Sequence, residues 1–169
     1  QTLFTKVNQL SPQQYIQHEP LFSHSVHGTL CHLLLAEKLW YSRMTGTPLQ
    51  CGDVDVNSLW QLGSSNGGLH WANAIPDNKD QLQNMILEQT DKWIHYVDSL
   101  DESVISNGGQ FTYYNTKNVE LKGEISAILD HVFNHSTHHR GQISTLVMKH
   151  LGGENAPEMD LLYFIRKDS

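Results

Sequence analysis

The segment Asp130-His-Val-Phe-Asn-His-Ser-Thr-His-His-Arg-Gly-Gln142 concentrates more chemistry than any other stretch of the chain. If it is helical, His131, His135 and His139 stand one turn above another, because residues four apart on a helix share a face. Ile128, Val132, Ile143 and Leu146 fall on the same side, so the column is expected to face the core. His138 sits at the edge of that face, and Arg140 points largely away. The plain reading is a set of core histidines satisfied by hydrogen bonds. Stacked imidazoles strain that reading, because each buried polar group left unpaired costs about 1–3 kcal/mol. One divalent cation satisfies several rings at once, and two histidines at i, i+4 can both reach an ion at about 2.0–2.1 Å.

A third ligand is expected from a facing helix. His24, His27 and His32 are the candidates there. His24 and His27 lie near the helix start, where solvation is the simpler account. His32 lies one turn after Gly28, with Ala36 and Leu39 following on its side. Its plain reading is a buried helix-packing histidine. Competing site patterns are missing from the sequence. It contains no HExxH, no Glu-x-x-His pair for a di-iron bundle and no CxxCH.

The elements that must position these residues follow from apolar spacing and turn chemistry. Leu3, Phe4, Val7 and Leu10 recur at helical spacing, and Ser11-Pro12 reads as a cap and first turn of a short helix to Gln17. Ser25 to Met44 is expected to be the first long helix, closed by Gly46 and Pro48. Residues 49–74 read as a long loop with a short helical piece near 56–61. Trp60, His70 and Trp71 are suited there to lining a ligand cavity, or to anchoring the loop. Leu82 to Leu100 describes a second long helix. Gln110 to Asn115 and Val119 to Leu121 are expected to pair as a hairpin. Glu124 to His150 is the last long helix, stopped at Gly152-Gly153. Asp160 to Arg166 suggests a short C-terminal helix. No linker or repeat divides residues 1–169, so one domain is expected.

The net charge of −7, with no basic cluster, argues against nucleic acid and against an anionic membrane surface. The 38% apolar share argues for a globular chain. Cys31 and Cys51 form no CxxC pair and are too few for a disulfide framework, which fits a reducing cytoplasm. No apolar run approaches the ~20 residues of a membrane helix, and no signal peptide is visible. The sequence opens at Gln1 in what reads as the last turns of a helix, so further N-terminal residues are expected.

Three stretches resemble the DinB family of damage-inducible bacterial proteins, within the superfamily that includes mycothiol-dependent maleylpyruvate isomerase and bacillithiol transferases. They are Thr29 to Trp40, Gln110 to Asn115 and, most specifically, His131-Val-Phe-Asn-His-Ser-Thr-His-His-Arg-Gly-Gln142. The resemblance spans nearly the whole chain. It implies an all-α fold, an antiparallel four-helix bundle with a small β-hairpin before the last long helix and a partly present first helix. It also implies a divalent metal, Zn or Ni, held by His32, His135 and His139. His131 and His138 match less certain positions, and the pair His131/His135 suits the same geometry.

Three neutral ligands leave a tetrahedral ion one open position, the catalytic arrangement. The relatives suggest a thiol-dependent S-transferase, in which a low-molecular-weight thiol attacks a small electrophilic substrate. A metal-hydroxide hydrolase is the nearest variant. Catalytic residues beyond the ligands are not assigned, although Gln142 and Asn134 are candidate helpers. A non-enzymatic metal-binding stress-response protein and a metal-free interaction module are the other readings. A fourth protein ligand, such as His131 or Cys31, would favour a structural ion. A homodimer is expected.

Overall fold

The computed structural model of the chain describes residues 2–51, 75, 77–115 and 117–167. The expected loop helix near 56–61 and the loop residues Trp60, His70 and Trp71 lie outside them. Helix α1 spans Thr2–Val7 and α2 spans Pro12–Ile16. The three long helices are α3 (Val26–Thr45), α4 (Lys79–Asp98) and α6 (Ile125–Leu151). Between α4 and α6 come the short α5 (Glu102–Ser106) and an antiparallel hairpin of β1 (Gln110–Tyr114) and β2 (Glu120–Glu124). A 3-10 turn at Gly153–Asn155 and α7 (Leu161–Lys167) complete the chain. The fold is all-α apart from the hairpin, as expected. Among the described residues no helix is long and apolar enough to cross a membrane.

Local signals set the helix ends. Ser11 and Gln14 form a reciprocal capping box ahead of α2, with Pro12 in the first turn, where its missing N–H costs nothing. Ser25 caps α3 by accepting from Gly28 N. Gly46 ends α3 with φ 70°, a left-handed conformation glycine adopts freely.

The core has two halves. One joins Leu3, Phe4 and Val7 of α1, early α3 (Leu30 to Leu35), Leu82 of α4 and late α6 (Ile143 to Val147). The other joins Met44, Trp93, Ile128, Leu129 and Val132, with the aromatic rings of Trp40, Tyr41 and Phe111 against them. Early α3 therefore meets late α6, and the two helices run antiparallel. Early α4 meets early α3, while Trp93 meets Tyr41 at 5.3 Å between ring centroids, so α3 and α4 run parallel. The long connection from 46 to 78 returns the chain to the starting end and permits this. Helix α1 packs its buried face into the core; Lys6 donates to Asn155 after α6, and Asn8, just beyond the helix, donates to Gln83 of α4.

Gly28 lets the segment before α3 fold tightly back onto it. A Cβ at this position would stand 2.1 Å from the Ser23 carbonyl oxygen. Alanine is favoured over glycine in a helix by about 1 kcal/mol. Overlap with a fixed backbone atom costs about 1–3 kcal/mol and outweighs that gain. Gly28→Ala should therefore lower the midpoint of urea unfolding. A variant as stable as the parent protein would show that the turn yields at no cost.

Candidate metal centre

The junction between the two core halves is where α3 and α6 bring three histidines together. His32 and His139 are buried, and His135 is half-buried. The Nε2 atom of His135 lies 3.2 Å from Nε2 of His32 and 3.2 Å from Nε2 of His139. The ligand atoms of all three lie within 4.8 Å of one another. A tetrahedral ion bound at about 2.0–2.1 Å sets neighbouring ligand atoms about 3.3 Å apart. Two of the three pairs stand at that spacing.

The protonation of the group points the same way. Burial pushes His32 down to about 3, helped by repulsion from His139 and His135. Burial also pushes His135 down to about 4, with His139, His131 and His138 adding to the effect. His139 is lowered by burial, against an opposing hydrogen bond from Gln142. All three rings are thus neutral near pH 7, the form a metal requires. A proton on one Nε2 can serve one neighbour well, whereas a single cation satisfies all three lone pairs.

Gln142 orients one of the three. Its Oε1 lies 2.8 Å from His139 Nδ1, and its Nε2 lies 3.0 Å from His138 Nε2. The amide nitrogen donates to His138, so Oε1 accepts from His139 Nδ1–H. That fixes the tautomer and leaves the His139 Nε2 lone pair facing the cluster. On the other side of the centre, Ser136 Oγ donates to Glu37 Oε1 at 2.7 Å, joining α6 to α3. Burial pushes the Glu37 carboxyl up, against the lowering effects of Ser136 and Arg140.

The expectation that the whole histidine column faces the core is corrected here. His131 is exposed and packs edge-on against Trp40, with centroids 5.3 Å apart. Four residues advance a helix by about 400°, so His131 and His139 differ by about 80° around α6. His131 also meets α3, but at Trp40, eight residues or about 12 Å along the helix from His32, so His135/His139 is the pair brought to His32. His138 and Asn134 are exposed. Arg140, expected to point away, is half-buried, and its charge acts on Glu37.

His24 stacks on His18, with centroids 4.6 Å apart, and His27 Nε2 lies 3.3 Å from Cys31 Sγ. Neither histidine belongs to the cluster. Among the described residues no fourth His, Cys, Asp or Glu joins His32, His135 and His139, so neither His131 nor Cys31 takes that place. The three could hold a divalent ion and leave a position for a further ligand.

No curated protein and no solved structure matches the chain. The model of the DinB family matches residues 1–168, which include all three histidines and the hairpin. On that match the chain belongs to the DinB family.

Proposed function

We propose that the protein is a divalent-metal enzyme, with Zn or Ni held by His32, His135 and His139, and that it acts as a thiol-dependent S-transferase. The observation that carries this reading is the convergence of three neutral imidazoles with no fourth protein donor among the described residues. Such an ion supplies positive charge that holds a small thiol as its thiolate, or lowers the pKa of water to roughly 7. His32, His135 and His139 add no charge of their own, so the full 2+ charge acts on the incoming ligand. Gln142 holds His139 in the tautomer that keeps its Nε2 free. In the transfer, a sulfur–carbon bond forms while the bond to the leaving group breaks. The leaving group departs with the electron pair, and the thiol proton is lost to solvent. Cys31 and Cys51 are both free thiols, which supports a place in the reducing cytoplasm.

The test is cobalt substitution followed by titration with 2-mercaptoethanol and with cysteine. The expected result is an intense sulfur-to-metal charge-transfer band, missing in His135→Ala. A cobalt spectrum that ignores both thiols but answers to pH through a bound water would replace the transferase with a metal-hydroxide hydrolase. A spectrum indifferent to thiols, small anions and pH would replace it with a non-enzymatic metal-binding stress protein.

A further inference from the structure

A second place in the bundle has the chemistry of a binding site and shares no residue with the histidine centre. It is a cavity of about 260 Å³ between α3, the segment 47–50 and α4. Lys38 of α3 and Lys92 of α4 both line it, and no carboxylate does among the described residues. This is unusual in a chain of net charge −7. Neither lysine belongs to an ion pair among the described residues. Glu37, the neighbour of Lys38, is bonded to Ser136 of α6 and does not line the cavity.

Gln89 forms part of the cavity wall. It is only 2% exposed, yet its amide nitrogen has no hydrogen-bond partner. A buried N–H without a partner is costly and rare in a folded protein. That nitrogen is itself covered, so an occupant of the cavity does not reach it where the side chain stands. Tyr41 and Leu49 add an apolar wall, so the cavity combines two cationic residues and a surface for a short organic body.

We propose that this cavity binds a small organic anion, its carboxylate or phosphate held by Lys38 and Lys92. The volume suits a small metabolite and excludes a folded partner. The parallel course of α3 and α4 creates the site, because it brings the Lys38 turn level with Gln89 and Lys92. An anion there would bridge the two helices through charge-assisted hydrogen bonds.

The test uses the full chain, titrated by calorimetry with benzoate, with inorganic phosphate and with neutral benzamide. Saturable binding of benzoate is expected if the anion is a carboxylate, and of phosphate if it is a phosphate. Benzamide should bind more weakly than benzoate. Lys38→Gln with Lys92→Gln should weaken binding by about tenfold or more, the loss expected for charged hydrogen bonds, without changing the melting temperature. The His135→Ala protein should bind the anion as the parent does. Loss of anion binding in His135→Ala would assign it to the histidine centre and overturn the inference. So would binding unchanged in the lysine variant, or no saturable binding of either anion.

Discussion

Replacing His32, His135 or His139 by Ala lowers the affinity for a divalent ion by at least about 100-fold. Loss of a group that only orients a ligand costs 10–100-fold, so loss of the ligand itself should exceed that. Two of the three nitrogen pairs are already at ligand spacing, at 3.2 Å, and removing one histidine leaves a bidentate remnant. Metal analysis after dialysis should give one ion per chain for the parent and a small fraction of that for each variant. His95 lies on the exposed face of α4, and His95→Ala should keep the full ion. Full retention by His32→Ala would defeat the ligand set, because the two remaining histidines lie on a single helix.

The second large effect is acid sensitivity of the metal-free protein. Unfolded histidines titrate near 6.5. Folded His32 titrates near 3 and His135 near 4, each pushed down chiefly by burial. Below pH 6.5 the unfolded chain takes up protons that the folded chain refuses. Stability is therefore complete above about 6.5 and is lost as pH falls through the folded values. At pH 5 the buried His32 alone accounts for about 2 kcal/mol. Glu37, pushed up by burial, acts in the opposite direction. Urea unfolding at pH 7 and pH 5 should show the loss, and His32→Leu should show a smaller one. Equal pH dependence in the parent and His32→Leu would contradict the assignment. Bound metal should persist below the pH at which free imidazoles protonate and leave as the folded values are approached.

The long helices were readable because each has apolar residues at helical spacing over four or more turns and a polar cap or glycine at an end. Val26–Thr45 and Ile125–Leu151 lie within a residue of their expected limits. Glu102–Ser106 was not expected, since five residues show no periodicity and its helical signal is the cap from Asp101 to Ser103 N. The hairpin was placed, with β2 extending to Glu124, because Phe111, Tyr113 and Tyr114 favour a strand. At the metal centre, spacing indicated one column of histidines. It could not say which two of three would come level with His32, because that depends on how α6 is set along and around its axis against α3. The Lys38, Gln89 and Lys92 cavity had no sequence signal, since it arises from the parallel alignment of α3 and α4 across a 33-residue connection from 46 to 78.

The unequal spacing of the ligands along the chain bears on how the molecule assembles. His135 and His139 are one turn apart, while His32 lies 103 residues before His135. A nascent α6 can therefore offer two nitrogens before any tertiary contact exists. A cation caught there would favour the helical form of that segment and offset part of its nucleation cost. The third bond closes only when α3 arrives, a late event because a loop of that length is slow to close. Some affinity belongs to the partly folded chain, so the ion would stabilise the native state by less than its tightest binding suggests. It would instead speed folding, and the refolding rate of the parent, but not of His139→Ala, should rise with metal concentration.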